Sequence, residues 1–429
     1  ESLSDSNTGT GSSLKDYAAL GSGEKAEKAL RNEQQDFLAD LKGLGIPYEY
    51  KYGYTLLTNA VAIKTDVKYA DRIAKMDNVK SVDISEYYYA PKDSAVSNNA
   101  NVWGTGIYNS EYAVENGYDG AGMVVAVLDT GLDASHEVFQ VMPKNKELLM
   151  TKENVQELIF DGSKDEGVLS LDPNVTVDDV YYSEKVPFAY DYAEKDSDVY
   201  PSNSSHGTHV AGIIAGTPLD EYMTDQDGNL ILDKNGNPMK FTGVAPEAQL
   251  VICKVFPDEE DTNGAVGGAE EMDILAALED CVKLGVDAIN MSLGSSAGFS
   301  TGDNEYMQTV YDNVREAGIS LVVAASNDYS SSYGGLYGTN LASNPDSATV
   351  GSPSTYPSAL SVASINGQES KYIRTVVNGE DKFLYFTEAS DGNGNEKDFV
   401  KELMANNPNL VKDGTLTVEY QVGPGYGMS

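Results

Sequence analysis

The sequence predicts an α/β protein whose main domain is a parallel sheet with helices on both faces. Three observations support this fold class. From residue 122 onward, short apolar runs alternate with amphipathic runs at helical spacing, which is typical of βαβ units. Before residue 91, a helical pattern followed by strand-like patterns indicates a small α+β module. After residue 365 the chain becomes polar and rich in strand-forming residues, so we expect a different, β-rich domain to begin there.

The bulk composition excludes several classes of protein. The chain has 429 residues, a formal net charge of −38 and 41% hydrophobic residues. This length and apolar content allow more than one domain and a large core. A surface this acidic repels phosphate backbones and anionic lipid, so nucleic acid is not an expected partner. No apolar run reaches the length of a membrane span, so none is expected in this chain.

The chain contains two cysteines. Cys253 lies in the strand-like run "LVICKVF" and Cys281 in the helical run "LEDCVKLG". Since both runs are apolar, we expect two buried free thiols. Two cysteines are also too few for the disulfide framework of a small secreted domain.

The N-terminal part divides into a flexible lead-in over residues 1–23 and a small module over residues 24–90. In the module we predict a helix over 24–44, a strand pair in "YEYKYGYTLLTNAVAIKT", a short helix in "VKYADRIAKMDNV" and a last strand in "KSVDISEYYY". This order is close to a ferredoxin-like unit without its first strand. The opening residues lack the basic and apolar regions of a signal peptide. That leaves two alternatives, an intracellular protein or one whose signal was removed upstream.

The elements of the main domain follow from apolar periodicity. We predict strands in "MVVAVLDTG", "GVAPEAQLVICKVF", "VDAINMSLG" and "ISLVVAAS", and helices in "GGAEEMDILAALEDCVKLG" and "YMQTVYDNVREAG". Asp129, Ser292 and Asn327 follow three of these strands, at the edge where open α/β sheets build their sites. Residues 217–241 carry two Asp/Asn-Gly turns and lack EF-hand spacing, so we predict a hairpin there and not a calcium loop.

Two of the three histidines lie in "SSHGTHVAG". His206 and His209 are three residues apart, a spacing that puts them on one helix face and allows either a metal site or a catalytic base with a neighbour. A zinc site needs at least three protein ligands, and neither a following Glu nor a nearby cysteine supplies one here. A nucleophilic site needs an acid, a base, an oxyanion donor and a nucleophile. Asp129, His206 and Asn327 supply the first three in that chain order.

Five segments together identify a family. In order, "VVAVLDTGLDASH", "SSHGTHVAGIIAG", "GVAPEAQLVICKVF", "VDAINMSLG" and "VVAASND" resemble the signature segments of subtilisin-like serine proteases. The insert ending in "YYSEKVPFAYDYAEKDSDV" resembles the cell-envelope branch, which includes lactocepin and the complement-inactivating peptidases of Gram-positive bacteria. The resemblance covers residues 24 to about 365. It implies that residues 91–365 are the N-terminal portion of a subtilisin-like catalytic domain, with part of the sheet not on this chain.

The resemblance also implies a role for each site residue. Asp129 would orient the imidazole, His206 would act as general base and Asn327 would stabilise the oxyanion. His209 and His136 would be satisfied, partly buried histidines without a chemical role. The cleft residues implied by the resemblance lie on two facing segments: Ser292, Leu293 and Gly294, then Ala324, Ala325 and Ser326. Ser326 stands where the family usually has glycine.

Further implications concern the two ends of the chain. Residues 24–90 resemble the propeptide inhibitor of the family, and residues 366–429 resemble the start of a protease-associated insertion. The nucleophile motif Gly-Thr-Ser-Met-Ala is missing, and no Gly-Thr pair in the chain is followed by serine. We therefore expect the nucleophile on a downstream segment. The expected enzyme is secreted, with attachment to the cell wall through a region that is not on this chain.

Three functions remain open on the sequence. The first is a serine endopeptidase that acts on proteins or peptides, with its own propeptide and the downstream segment as partners. The second is an inactive pseudoprotease or protein-binding module on the same fold. A metallohydrolase is the third. The serine protease chemistry requires no cofactor, and the family resemblance allows a structural calcium ion without identifying its ligands.

Overall fold

The computed structural model describes most of the N-terminal module and of the main domain. The described ranges are 21–88, 116–141, 148–159, 169–218, 241–258, 267–295, 305–326 and 350–363. Beyond these it describes residues 2, 113 and 405, scattered positions between 222 and 240, and short strands between 372 and 416.

The N-terminal module is a helix packed on a two-stranded antiparallel sheet. Its elements are α1 (Gly21–Gly43), β1 (Glu49–Tyr54), β2 (Ala60–Lys64), α2 (Ala70–Ile73) and β3 (Tyr87–Tyr88). Strands β1 and β2 pair with each other, as the sequence predicts. A small core formed by Leu41, Ile46 and Ile73 joins the helices to the sheet.

The last strand of the module departs from the prediction. The sequence predicts a strand over residues 80–89, but only Tyr87 and Tyr88 form one. This strand, β3, pairs antiparallel with Ala269–Glu270 of the main domain and not with β1 or β2. The apolar residues Val82 and Ile84 alternate as in a strand, yet they are exposed, Ile84 by 71%. Among the described residues no strand lies beside 81–85, and the pairing with the main domain begins at Glu86, whose carbonyl accepts a 2.9 Å hydrogen bond from the N–H of Glu271.

The main domain contains a six-stranded sheet. The strands are β4 (Val124–Asp129), β5 (Phe188–Asp191), β6 (Gln249–Lys254), β8 (Ala288–Met291), β9 (Ser320–Ala324) and β10 (Leu360–Val362). Their order is β10-β9-β8-β4-β6-β5, and every neighbouring pair is parallel. The short strand β7 (Ala269–Glu270) lies outside this sheet and pairs with β3. The helices are α3 (Lys152–Ile159), α4 (Val177–Val180), α5 (His206–Ala215), α6 (Glu271–Leu284) and α7 (Glu305–Glu316).

Helices cover both faces of this sheet, as the sequence predicts. Ala126 and Leu128 of β4 belong to one core cluster together with buried residues of α6 and α7. Val127, the residue between them, belongs to a second cluster with Ala211 and Ala215 of α5. Because successive side chains of a strand point to opposite faces, these two clusters are the two sides of the sheet. The fold class is therefore a doubly covered parallel sheet.

The described positions outside the sheet agree with two further predictions. Isolated antiparallel bridges join Tyr222 to Lys240, Thr224 to Leu230 and Leu232 to Pro238, which is the hairpin pairing expected around the two Gly turns. After residue 365, β11 (Tyr372–Val377) pairs antiparallel with β12 (Glu380–Tyr385), and β13 (Val411–Lys412) with β14 (Thr415–Leu416). None of the helices in the described part of the chain is long and apolar enough to cross a membrane.

Candidate active site

A buried carboxylate and an imidazole meet at the carboxyl edge of the sheet. Asp129 is the last residue of β4 and is 1% exposed, and His206 is the first residue of α5. The distance from His206 Nδ1 to Asp129 Oδ1 is 2.7 Å. An ionised carboxylate can only accept, so Nδ1 is the donor and a neutral imidazole then keeps its lone pair on Nε2. This is the arrangement of a base whose orientation is fixed by an acid.

The turn after β4 holds these two side chains in register. Asp129 Oδ1 also accepts a 2.7 Å hydrogen bond from the backbone N–H of Thr130. The Thr130 hydroxyl donates to the carbonyl of Ser204 and accepts from the N–H of Gly207, both at 2.9 Å. One threonine therefore ties the end of β4 to both sides of His206. The sequence analysis did not single out Thr130, although it directly follows the predicted acid.

Two glycines allow this close approach. Gly131 has φ +109, and a Cβ there would collide with the carbonyl of Val199. At Gly207 a Cβ would collide with the carbonyl of Gly131. A larger residue at either position would push α5 away from the end of β4 and separate Asp129 from His206.

The other two histidines lie outside this pair. His209 is exposed on the first turn of α5, while the packed face of the helix is formed by Gly207, Ala211 and Ala215. His136 is also exposed, and its Nδ1 accepts a 3.4 Å hydrogen bond from the N–H of Val138. The expectation that both would be partly buried is wrong. Small residues fill the space between α5 and the sheet, so His209 is not needed for packing.

The predicted cleft residues follow two neighbouring strands. Ser292, Leu293 and Gly294 follow β8, Ala324 ends β9, and Ala325 and Ser326 come next. Asn327, the predicted oxyanion donor, lies outside the described residues.

A short segment at 351–352 contacts both of these groups. Ser352 O accepts a 2.9 Å hydrogen bond from the N–H of Ser295, and the N–H of Gly351 donates to Ala325 O at 3.1 Å. Ala325 and the residue after Gly294 are thus bonded to one segment of chain. Ser326 has φ +99, a left-handed conformation that favours glycine. This explains physically why a glycine is the usual residue at such a position.

A buried lysine beside the acid was not anticipated from the sequence. Lys254 ends β6, next to Asp129 in the sheet register, and a Cβ on Gly131 would lie 3.1 Å from its Cδ. Its Nζ lies 2.6 Å from Asp191 and 2.9 Å from Asp258. Burial lowers the pKa of Lys254, but the hydrogen bonds with these carboxylates outweigh it and hold the pKa above its usual value. The sequence feature that could have indicated this buried lysine is the presence of a charged residue inside the apolar run "LVICKVF".

The ammonium group of Lys254 lies where a metal ion could otherwise bind. Across the described ranges, no group of three or more His, Cys, Asp or Glu side chains is arranged to hold a metal ion. Asp191, Asp258 and, at 3.7 Å, Glu194 surround the Nζ of Lys254. A lysine therefore occupies the position that a cation would take among these carboxylates.

The N-terminal module docks on α6 through buried polar contacts. Glu279 of α6 accepts hydrogen bonds from the backbone N–H groups of Thr55, Leu56 and Leu57 at 3.3, 2.8 and 2.7 Å. The Tyr54 hydroxyl donates to the carbonyl of Met272 at 2.7 Å. These bonds join residues more than 200 positions apart in the sequence.

Two further carboxylates of α6 are buried at the same interface. Burial raises the pKa of Asp273 to about 7, and Glu270 shifts it in the same direction. Burial likewise raises the pKa of Glu271 to about 7, with Glu86 as a second cause. The docked module therefore shields carboxyl groups that water would otherwise solvate.

The end of the module reaches the main domain as an added strand. Tyr88 is fully buried, and its hydroxyl lies 3.4 Å from Glu271 Oε1. Within the described residues the pairing partner of this tail is Ala269–Glu270. The rest of the tyrosine-rich stretch, from residue 89 onward, lies outside the described residues.

Comparison with known proteins gives one family. The subtilase family profile matches residues 120–417. A PII-type proteinase of Lacticaseibacillus paracasei is 30% identical over 335 residues, which are 77% of this chain and 15% of the relative. A PIII-type proteinase of Lactococcus lactis subsp. cremoris is 31% identical over 322 residues, 73% of this chain and 14% of the relative.

Two further likenesses are shorter or more remote. A C5a peptidase of Streptococcus pyogenes is 32% identical over 245 residues, 57% of this chain and 18% of the relative. Among solved structures, fervidolysin from Fervidobacterium pennivorans, a keratinolytic enzyme related to subtilisin, matches with a TM-score of 0.43 and 19% identity over 84% of this chain and 44% of that chain. The chain spans about 15% of the length of the proteinases it matches.

Proposed function

Because the chain belongs to the subtilase family, we propose that it carries the acid, the base and the oxyanion donor of a serine endopeptidase. The observation that carries this proposal is the 2.7 Å contact between Asp129 Oδ1 and His206 Nδ1. It joins a buried carboxylate at a strand end to an imidazole at a helix start. A metallohydrolase has no comparable support among the described residues, where no group of three or more His, Cys, Asp or Glu side chains is arranged to hold a metal ion.

The chemistry of this pair is proton transfer. Asp129 holds the Nδ1–H of His206, so Nε2 accepts the proton of a serine hydroxyl as that oxygen attacks the scissile carbonyl. The imidazolium, stabilised by Asp129, then gives the proton to the leaving amine. In this proposal Asn327 donates to the tetrahedral oxyanion. Residues 292–294 and 324–326 bind the substrate on either side. These steps need no metal ion, and a structural calcium ion stays a prediction from the family resemblance.

The N-terminal module is proposed to act as an inhibitor of the same domain. Its support is the buried interface with α6 and the antiparallel pairing of β3 with β7. A strand added to an exposed edge is a common way to bind an extended peptide. The module thus occupies a backbone edge that a peptide could use.

The nucleophile, the substrate and the location belong to the same proposal. We place the nucleophilic serine on a segment downstream of Ser429, because the chain lacks the Gly-Thr-Ser-Met-Ala motif. Relatives named as proteinases and as a C5a peptidase support proteins or peptides as substrates. We further propose that the protein is secreted and attached to the cell wall.

A fluorophosphonate probe tests this proposal in the complete protein. The label is expected on a serine after Ser429 and on none within residues 1–429. His206→Ala should abolish labelling, whereas His209→Ala should leave it. A labelled serine within residues 1–429 would overturn the placement of the nucleophile. A folded protein that still takes up no label after its N-terminal module has been cleaved off and removed would overturn the enzymatic role and favour a protein-binding module.

A further inference from the structure

The two cysteines of the chain meet inside the main core. Cys253 lies on β6 and Cys281 on α6, and their Sγ atoms are 3.9 Å apart although the residues are 28 positions apart in sequence. Both side chains are fully buried and both are free thiols. The chain has no other cysteine.

The fold itself brings these thiols together. Cys253 and Val251 lie on the same face of β6, the face that packs against α6. Cys281 belongs to the same core cluster. A disulfide needs an S–S distance of about 2.05 Å. Rotation about the two Cα–Cβ bonds, which moves each Sγ, therefore has to shorten the observed 3.9 Å distance by roughly 2 Å. No other thiol in the chain competes for either sulfur atom.

The surroundings decide when such a bond can form. Asp280, next to Cys281, is fully buried and accepts a 2.9 Å hydrogen bond from the Tyr192 hydroxyl. Burial and the nearby Cys281 raise the pKa of the Cys253 thiol well above its usual range. Since the folded core buries both sulfur atoms completely, an oxidant reaches them before α6 packs on the sheet. The reaction belongs to the stage of folding at which α6 approaches β6.

We propose that Cys253 and Cys281 form a disulfide when the protein folds in the presence of a disulfide oxidant, and that this bond fastens α6 to β6. With oxidised glutathione, one cysteine thiolate attacks the oxidant, giving a mixed disulfide and releasing one glutathione thiolate. The second cysteine then attacks the mixed disulfide, forms the Cys253–Cys281 bond and releases the second glutathione thiolate. Two protons and two electrons leave the protein, and the oxidant is reduced to two thiols.

A Cys253–Cys281 disulfide would affect helix α6, which carries the docking surface for the N-terminal module. Helix α6 holds the N-terminal module through Glu279 and contacts the sheet through Cys281. A bond to β6 would keep this surface in place while the module is absent. The inference stands apart from the proposed catalytic role, because it depends only on the geometry of the core.

The test compares disulfide formation in the folded and unfolded protein. The complete protein is refolded from denaturant into buffers that contain oxidised and reduced glutathione at several ratios, and a second set is held in concentrated denaturant at the same ratios. Free thiols are then alkylated in denaturant, and the Cys253–Cys281 pair is quantified by peptide mapping. Native packing should raise the equilibrium constant for this bond at least tenfold over the denatured chain. Because native packing favours the disulfide, the disulfide must favour the native state equally, so the oxidised protein should melt at a higher temperature than the reduced protein.

A matched variant separates native geometry from mere chain proximity. In the Cys281→Ser/Val282→Cys double variant the loop length is nearly unchanged, but the thiol moves about 100° around the helix. The equilibrium constant for a disulfide between Cys253 and this displaced thiol should be no higher in the folded variant than in the denatured variant. An equal or lower equilibrium constant in the folded wild-type protein would overturn the proposal, as would glutathione adducts in place of the Cys253–Cys281 bond. Neither result depends on a variant that has to fold.

Discussion

The Asp129–His206 pair and the docking surface on α6 are built in opposite ways. The pair depends on a few short connections around two turns, in which Thr130 and Gly207 bind the strand end to the helix start. The docking surface depends on contacts between residues more than 200 positions apart, such as those of Glu279 with the backbone at Leu56 and Leu57. The carboxylate–imidazole pair is thus placed by the turns that end β4 and begin α5, whereas the N-terminal module is placed by its contacts with α6.

This difference separates chemistry from stability. Changes at the pair should affect catalysis far more than folding, because few buried contacts depend on these side chains. Changes on the α6 surface should affect stability and docking far more than the intrinsic chemistry. A change at the pair that mainly lowers stability, or a change on the α6 surface that mainly lowers turnover, would contradict this difference.

The largest effect is expected at the acid. Asp129→Asn removes the carboxylate that fixes the His206 tautomer, so turnover of a peptide substrate by the complete protein should fall on the order of 10⁴-fold. The melting temperature should change little. The control is Asp133→Asn in the following turn, where the carboxylate accepts only from Ser135, and its turnover should stay within a few-fold. Equal losses in both variants would contradict a special role for Asp129.

The next largest effect is expected at the docking surface. Glu279→Ala leaves the buried N–H groups of residues 55–57 without their acceptor, which should lower the free energy of unfolding by about 3 kcal/mol. Thermal unfolding should show a fall of several degrees. Glu305→Ala, at an exposed position at the start of α7, is the matched control and should change stability by less than about 0.5 kcal/mol. A wild-type melting temperature for Glu279→Ala would contradict the assigned contacts.

A pH dependence should appear at the same surface. Burial raises the pKa of Asp273 to about 7, so the folded protein holds a proton there that the unfolded chain has already lost. The stability linked to this proton is fully present below about pH 4, where the unfolded carboxyl is also protonated, and is lost as the pH rises from there to about 7. Asp273→Asn should therefore raise the free energy of unfolding by about 1 to 2 kcal/mol at pH 8, with a higher melting temperature, and by clearly less at pH 5. Equal effects at both pH values would argue against a raised pKa.

The smallest effect is expected at the strained serine that follows β9. Ser326→Gly removes a side chain from a left-handed conformation at φ +99, and the relief of about 1 kcal/mol is partly offset by the flexibility of glycine in the unfolded chain. A rise in melting temperature of about 1 to 2 °C should follow. Ser320→Gly, in the exposed first position of the regular strand β9, should lower it. A fall in both variants would mean that Ser326 is not strained.

The sequence predicted the elements that local pattern controls. Alternating apolar runs predicted the parallel sheet, and the polar residues after its strands predicted the edge where Asp129 and His206 meet. The strand at 80–89 was predicted wrongly, because alternation of Val82 and Ile84 cannot reveal whether a partner strand lies beside them. Exposure of His209 was missed for a similar reason, since the packed face of α5 is made by small residues.

The remaining features arise from contacts that no short motif encodes. Lys254 is paired with Asp191, which is 63 positions away, and the carboxylates of α6 are buried by a module that begins far upstream. Proximity of Cys253 and Cys281 depends on how α6 lies on the sheet. Such pairings follow from the order of the strands, which periodicity does not predict.

The central claim is that His206 is the base and His209 is not. The most direct test is the turnover of a peptide substrate by the complete protein carrying His206→Ala or His209→Ala, with folding checked by thermal unfolding. His206→Ala should lose at least about 10⁴-fold in turnover, and His209→Ala should stay within a few-fold of the unmodified protein. A folded His206→Ala variant that retains activity within tenfold would contradict the claim.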